Sequence, residues 1–282
     1  MRKLSALAGF LSVALGTGAI AVGATVDDVQ IHSSSVGSGP TILFVHGWTC
    51  DSTSWAGQVS PLSGSYRVIT LDLPGHGKTP PPKDGVFSMD LFARTVEAVR
   101  AESGAAQVVL VGHSMGAMVI RQYAIRHPDR VAGLVAVDGP LDMRNFVRQA
   151  DEENESGKEQ SLTRENRKQM ITGMFIEETP DEVRERVLAM MLQPSEATAM
   201  GAVSAMFDRN NDTADKIVSS PALIIDAGTL SQERIAKRNE KTKEVVPAVR
   251  SIQVEGTGHF LMMEKPQVCN ELIQDFLNKI GF

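Results

Sequence analysis

The chemistry suggested by this sequence begins at a serine that stands between two glycines. Gly112, Ser114 and Gly116 form the pattern G-x-S-x-G, with the apolar run QVVLVGHS before it and a helical pattern after it. A strand, turn and helix in this order predict a nucleophile elbow, in which a strained turn presents the serine hydroxyl above a sheet. The pattern therefore indicates that Ser114 is a nucleophile. The plainer alternative is a glycine-rich turn with an incidental serine.

A serine nucleophile needs a base that removes its proton, and the candidate is a late histidine. Of the six histidines, His259 follows the apolar run SIQVEG and lies in the glycine-containing loop GTGHF. A flexible turn at this point can bring an imidazole over the serine, which suits a general base. We therefore predict that His259 is the base. A histidine of a surface loop is the alternative.

Four short motifs together resemble those of the α/β-hydrolase superfamily. They are HGW (46–48), LDLPGHG (71–77), GHSMG (112–116) and GTGHF (256–260), in the order and spacing found in that fold. The strings HGWTCD and LVAVDGP are similar to a bacterial subgroup of serine hydrolases described as esterase-like or haloperoxidase-like. The resemblance implies the fold and the type of reaction, and leaves the substrate open.

The resemblance also implies an oxyanion hole. In this fold the donors are the backbone N–H of the residue after the nucleophile, here Met115, and one from the turn after an early strand, here Trp48. Such N–H groups stabilise the negative oxygen of a tetrahedral intermediate, and the loss of one donor typically costs about 3 kcal/mol.

The carboxylate that orients the base is ambiguous in this sequence. Most relatives of this fold carry it a few residues after the strand that corresponds to PALIIDAG, but the residues that follow here are TLSQ. Asp138, at the end of the strand LVAVD, is preferred because a carboxylate at the carboxyl end of a strand can reach the imidazole. Asp226, inside the late strand, ranks second, and Glu233 ranks third. Asp138 could instead cap the turn before Gly139.

The elements that must position these residues are short apolar strands that alternate with amphipathic helices, as in a largely parallel sheet covered by helices. The predicted strands are 41–47, 66–73, 107–114, 131–139, 221–228 and 249–256. Helical spacing of apolar residues predicts helices over 89–103, 116–127 and 266–279. We therefore expect an α/β fold with a mostly parallel central sheet.

The alternation stops between residues 141 and 220. This segment shows no convincing strand, and patterns such as PDEVRERVLAMML indicate amphipathic helix. We predict a helical cap or lid over 141–220, inserted into a hydrolase core formed by 25–140 and 221–282. Seven of the 13 methionines lie in the cap, where they would fill gaps in its core or form an adaptable apolar ceiling over a substrate.

The first 24 residues have the composition of a signal peptide. A basic start is followed by an apolar stretch and by small residues, so cleavage after Ala21 or Ala24 would suit a signal peptidase. The expected location is periplasmic or secreted, with no stable membrane insertion after cleavage. The alternative is an uncleaved N-terminal anchor over residues 4–22, nearly the roughly 20 residues that a bilayer requires.

Composition and charge limit the other functional classes. The 282 residues are 42% hydrophobic and 22% charged, typical of a globular chain, and the formal net charge is −6. An acidic chain lacks the clustered cations that nucleic acids require, so we expect no nucleic-acid partner. The two cysteines, Cys50 and Cys269, form no metal motif, although export would permit a disulfide between them. No cofactor and no metal is expected.

These features predict a serine hydrolase that cleaves a carboxylic ester or lactone of a small apolar molecule through an acyl-enzyme. An acyl-homoserine lactonase and a cofactor-free perhydrolase or haloperoxidase-like enzyme would use the same residues. A ligand-binding protein that reuses the fold without turnover is the alternative from another class. A serine at position 114 argues against the aspartate nucleophile of dehalogenases and epoxide hydrolases of this fold.

Overall fold

The computed structural model describes residues 20–21, 23–145, 161–208 and 213–282. Most of the predicted signal peptide and the polar first part of the predicted cap therefore lie outside the described residues.

Eight of the described strands form one sheet, and two more form a separate hairpin. The sheet order is β1-β4-β6-β5-β7-β8-β9-β10, with β1 and β4 antiparallel to their neighbours and the other strands parallel. The strands are β1 (Ile20–Ala21), β2 (Thr25–Val26), β3 (Val29–Gln30), β4 (Ser33–Val36), β5 (Thr41–Val45), β6 (Arg67–Leu71), β7 (Val108–His113), β8 (Val131–Val137), β9 (Ala222–Ala227) and β10 (Val249–Val254).

Helices follow most of the parallel strands, as the crossover between parallel neighbours requires. The described helices are α1 (Ala56–Leu62), α2 (Met89–Glu102), α3 (Met115–Arg126), α4 (Arg164–Thr172), α5 (Asp181–Met191), α6 (Glu196–Met206), α7 (Gln232–Val245), α8 (Leu261–Glu264) and α9 (Pro266–Ile280). Short 3₁₀ turns span Ser52–Trp55 and Pro128–Arg130.

The core of the protein is the interior of this sheet. Every residue of β5, β7 and β9 is buried, and so is most of β8. Strands buried on both faces are apolar along most of their length, which explains the nearly continuous runs in the sequence. The predicted α/β fold with a mostly parallel sheet is confirmed.

The strands end one or two residues before the predicted ends. The run predicted as 41–47 stops at Val45, and the run predicted as 131–139 stops at Val137. The residues beyond these ends leave the sheet as loops, and they include the predicted functional residues. The elements with no counterpart among the predicted ones include the serine-rich strand β4 and the polar helix α7, because neither has a pronounced apolar pattern.

The described part of the segment between β8 and β9 is helical, with α4, α5 and α6 arranged in succession. Helix α5 begins at Asp181, directly after Pro180, as the sequence pattern predicts. Thr163 and Ser195 cap α4 and α6, because their hydroxyls accept the N–H of Asn166 and Thr198.

Among the described residues, the structure contains no helix that is long and apolar enough to cross a membrane.

The two cysteines do not form the disulfide that the sequence permitted. Cys50 and Cys269 are both free, and both are packed in the apolar core. Burial raises the pKa of the Cys269 thiol to about 12 and also raises that of Cys50. Neither thiol is therefore activated as a nucleophile.

Helix α3 lies very close to β5, and a glycine makes this approach possible. A Cβ at Gly116 would overlap the carbonyl oxygen of Val45 and lie 2.7 Å from that of His46. The obstructing atoms are backbone, so they have little freedom to move aside. The first turn of α3 can therefore carry only a hydrogen at this position without a shift of the helix.

We expect Gly116→Ala to lower the free energy of unfolding by about 1–3 kcal/mol, as overpacked cores do. The measurement is urea unfolding followed by circular dichroism. Gly64→Ala is the matched control, because no atom lies within 4 Å of its added Cβ. Equal stability of the two variants would contradict the steric role of Gly116.

Candidate active site

Ser114 occupies the sharp turn between β7 and α3. Its backbone has φ 51° and ψ −117°, a conformation that L-residues rarely adopt. A Cβ at Gly112 would overlap the carbonyl oxygen of Gly116, so the two flanking glycines let the strand and the helix meet at this turn. The local geometry is that of a nucleophile elbow, with the serine half-buried at the carboxyl end of the sheet.

Asp138 and His259 are joined by a short hydrogen bond. Asp138 directly follows β8, and its Oδ2 lies 2.5 Å from Nδ1 of His259. Its other oxygen, Oδ1, accepts the backbone N–H of Ala227 at 3.0 Å. Asp138 also has a positive φ of 41°, which turns the chain out of the strand at this residue. The carboxylate is thus oriented from two sides.

The surroundings of Asp138 keep its carboxyl group ionised. Burial alone would raise the pKa of Asp138, but the hydrogen bond and positive charge of His259 and the N–H of Ala227 outweigh it and lower the pKa. A carboxylate at this position can hold the Nδ1–H tautomer of His259, which leaves Nε2 free to accept a proton.

The serine turn adjoins this pair through the backbone. The N–H of Ser114 donates to the carbonyl oxygen of Val137 at 3.1 Å, and Asp138 is the next residue after Val137. The imidazole of His113, directly before Ser114, lies 4.7 Å from the imidazole of His259, between ring centroids. The structure therefore gathers Ser114, Asp138 and His259 at the carboxyl ends of neighbouring strands.

His113 supports the loop of His259. The ring of His113 is buried, and its Nε2–H donates to the carbonyl oxygen of His259 at 2.8 Å. Burial and the nearby charge of His259 lower the pKa of His113 to about 3, so its ring is neutral near pH 7. The ring of His113 therefore packs against the loop of His259.

The other two acidic candidates lie in different surroundings. Asp226 is buried within β9, where it pairs with Arg238 at 2.5 and 2.7 Å and accepts the hydroxyl of Ser251 at 2.8 Å. Glu233 is exposed in the first turn of α7. Asp226 is thus engaged with α7 and β10, and among the three candidates only Asp138 is hydrogen-bonded to His259.

The turn after β5 carries Trp48, and helix α3 begins at Met115. Both side chains are buried. The first N–H groups of a helix have no hydrogen-bond partner within the helix. The N–H of Met115 is one of these, so it can donate to a negatively charged oxygen. The indole N–H of Trp48 donates to the carbonyl oxygen of Ala199 in α6 at 2.9 Å, which ties this turn to the helical segment between β8 and β9.

His46 and Asp72 shape the turn that carries Trp48. Nε2 of His46 accepts the N–H of Leu73 at 2.9 Å, so its Nδ1 carries the proton and donates to the carbonyl oxygen of Gly47 at 2.8 Å. The carboxylate of Asp72 accepts the N–H groups of Ser52 and Lys78 at 2.7 and 2.9 Å. Both residues therefore hold backbone in place.

Comparison with known proteins agrees with this architecture. A family model described as alpha/beta hydrolase fold matches residues 40–266. The chain belongs to the alpha/beta hydrolase fold family.

Relatives of this alpha/beta hydrolase fall into several functional groups. A non-heme chloroperoxidase from Kitasatospora aureofaciens is 26% identical over 90% of this chain and 98% of its own length. A pimeloyl-[acyl-carrier protein] methyl ester esterase from Aeromonas hydrophila is 34% identical over 39% of this chain and 41% of its own. In two further curated relatives the match spans 30% and 36% of their length.

Among solved structures, a thermophilic esterase from Thermogutta terrifontis, with malate bound, superposes with a TM-score of 0.76. Its sequence is 25% identical, and the match covers 94% of this chain and all of the esterase. Among the described residues of this chain, no cluster of His, Cys, Asp or Glu is arranged to hold a metal ion.

Sequence reasoning missed the contacts that hold the loop of His259. The N–H of His259 lies 3.4 Å from the carbonyl oxygen of Met174, and the N–H of Gly258 donates to Glu264 at 2.6 Å. Backbone contacts of this kind leave no residue pattern. The only visible signal was the position of Glu264, five residues after His259.

A second buried histidine, His76, is also neutral. Nδ1 of His76 donates to the carbonyl oxygen of Pro74 at 2.9 Å. Burial and the nearby His46 lower the pKa of His76 from 6.5 to about 3. Because the unfolded chain binds this proton at higher pH, the contribution of His76 to stability is complete above pH 6.5. It is lost as the pH falls toward 3.

We therefore expect the free energy of unfolding to fall as the pH is lowered from 7.5 to 5, with a smaller slope in His76→Asn. One such histidine contributes at most about 1.4 kcal/mol per pH unit. An asparagine amide can still donate to Pro74. Urea unfolding at several pH values measures the slope, and identical slopes for the two proteins would contradict a neutral, buried His76.

Proposed function

We propose that the protein is a serine hydrolase that cleaves a carboxylic ester or lactone of a small apolar molecule. The observation that carries the proposal is the strained turn of Ser114 beside the hydrogen-bonded pair of Asp138 and His259. A nucleophile, a base and a group that orients the base are the three parts that nucleophilic acyl transfer requires.

In the first step, the hydroxyl oxygen of Ser114 attacks the carbonyl carbon of the ester. His259 takes the hydroxyl proton on Nε2 as the new bond forms. Asp138 accepts a hydrogen bond from Nδ1 and stabilises the positive imidazolium. The lowered pKa of Asp138 supports this role, because the carboxyl group must be negative when the imidazolium forms.

The attack places a negative charge on the former carbonyl oxygen. The backbone N–H groups of Trp48 and Met115 would donate to this oxygen and stabilise the tetrahedral intermediate. A rigid turn is important because the donors must be oriented before the charge appears. The hydrogen bonds of His46 and Asp72 to neighbouring backbone support such rigidity.

The intermediate then collapses and expels the alcohol, which takes the proton from His259. Water attacks the resulting acyl-enzyme, again with His259 as the base, and the acid is released with regeneration of Ser114. In a lactone the alcohol and the acid belong to one molecule, so the product is a single hydroxy acid. In both reactions the protein itself would supply the nucleophile, the base and the donors to the oxyanion.

The preference for an apolar substrate rests on the cap turn that faces the loop of His259. Met174 and Phe175 are half-buried in this turn, and the ring of Phe175 lies 5.9 Å from that of Phe260, between centroids. Apolar side chains bind an acyl chain by removing its surface from water. The described part of the cap therefore favours an ester with an apolar acyl group.

A lactonase or a perhydrolase would keep the same nucleophile and base, and would differ in the leaving group or in the attacking molecule. A non-catalytic ligand-binding protein would have no use for an activated serine. A fluorophosphonate separates these classes, because it forms a covalent bond only with a serine whose proton can be removed.

We expect Ser114→Ala to abolish fluorophosphonate labelling and to lower kcat on p-nitrophenyl esters by about 10⁶-fold. The physical reason is that alanine has no oxygen to attack the carbonyl. Intact-mass spectrometry measures the label, and absorbance measures hydrolysis of a graded series of acyl chains. Full activity of Ser114→Ala would contradict the nucleophile, and an unlabelled, folded wild type would favour the binding protein.

Two asparagine variants test the acid. We expect Asp138→Asn to lower kcat by about 10⁴-fold, because an amide does not hold the base in the required tautomer. Asp226→Asn should retain kcat but lower the free energy of unfolding by about 2–4 kcal/mol, because it breaks the buried contact with Arg238. Steady-state kinetics and urea unfolding measure the two effects. A loss of kcat confined to Asp226→Asn would reject Asp138.

A further inference from the structure

The loop of His259 is held at three backbone positions. The N–H of His259 faces the carbonyl oxygen of Met174 in the cap at 3.4 Å. Its carbonyl oxygen accepts Nε2–H of His113 at 2.8 Å. The N–H of the preceding Gly258 donates to Oε2 of Glu264 at 2.6 Å. The base is therefore located by its backbone as well as by Asp138.

Glu264 connects this loop to the cap. It is the last residue of α8, and its second oxygen, Oε1, accepts the hydroxyl of Thr179 at 3.3 Å. Thr179 is buried, and the same hydroxyl accepts the N–H of Ile176 at 3.1 Å. One carboxylate thus joins the loop of the base and a turn of the cap.

The space around Gly258 shows how closely these parts meet. A Cβ at Gly258 would lie 3.1 Å from Oε1 of Glu264, 3.1 Å from the carbonyl oxygen of Met174 and 3.4 Å from the hydroxyl of Thr179. The loop is therefore enclosed between the cap and α8, and a displacement of either would move the residue next to His259.

Neutral groups satisfy the charge of Glu264. Among the described residues, its recorded side-chain partners are the N–H of Gly258 and the hydroxyl of Thr179, and no ion pair includes it. Hydrogen bonds to a carboxylate are shorter and stronger than those between neutral groups. The carboxylate of Glu264 therefore holds the backbone N–H of Gly258 and the hydroxyl of Thr179.

We propose that Glu264 is a positioning residue for the base, and that Thr179 makes the position of His259 depend on the cap. The proposal rests on the proposed function of His259. A base must lie within hydrogen-bond reach of the proton that it removes, and a misplacement of about 1 Å can cost 10²-fold in rate. In this arrangement, a displacement of the turn that carries Thr179 would also displace the base.

The test compares Glu264→Ala and Glu264→Gln with Glu271→Ala, the control for loss of an exposed carboxylate from the next helix. Thr179→Val removes the hydroxyl, and Thr179→Ser keeps it. Three measurements are made on each protein: the rate of fluorophosphonate labelling, kcat and KM on an ester, and amide hydrogen exchange of residues 256–260. Melting temperatures identify variants that are merely unstable.

For Glu264→Ala, we expect the labelling rate and kcat to fall by about 10- to 100-fold, with little change in KM and faster exchange of the loop. Glu264→Gln keeps the shape and one acceptor, so it should fold and show a smaller loss. Thr179→Val should lose activity and Thr179→Ser should recover it. Glu271→Ala should behave as the wild type.

The possible failures are distinguishable. If the wild type is labelled and both Glu264 variants are labelled at the same rate, the positioning role is wrong while the proposed function stands. Failure of Thr179→Ser to recover the activity lost in Thr179→Val would reject the coupling to the cap. If the folded wild type is not labelled, the proposed function fails, and the positioning of a base fails with it.

Discussion

The carboxylate of Asp138 joins three parallel strands of the sheet where their carboxyl ends meet. Asp138 ends β8, accepts the N–H of Ala227 at the end of β9, and bonds to His259 in the loop after β10. The serine turn after β7 donates to the residue just before Asp138. The site therefore depends on the register of four neighbouring strands, and the apolar core beneath them maintains that register.

Two residues of the site have unfavourable backbone conformations. Ser114 and Asp138 both have positive φ values, which cost of the order of 1–3 kcal/mol each. The buried strands and the close contact of Gly116 with β5 hold the chain in these conformations. The same backbone carries the proposed nucleophile and acid, so the stability of the core keeps these two groups in place.

The central strands were predictable from the sequence because a strand buried on both faces is mostly apolar, as β5, β7 and β9 are. The polar strand β4 and helix α7 were not predictable, since their stability comes from neighbours rather than from a pattern of their own. The pairing of Cys50 and Cys269 could not be predicted from the sequence either. An oxidising compartment would permit a disulfide, but the two residues are separate thiols in the core.

The sequence by itself determined the turn of Ser114, because five consecutive residues and their flanking strand and helix are sufficient to define a nucleophile elbow. The choice among Asp138, Asp226 and Glu233 depended on tertiary structure. Asp138 and His259 are 121 residues apart, and only the packing of the sheet brings them to 2.5 Å. The contact of Glu264 with Thr179 likewise joins the core to the cap, and two segments so distant along the chain meet only after both have folded.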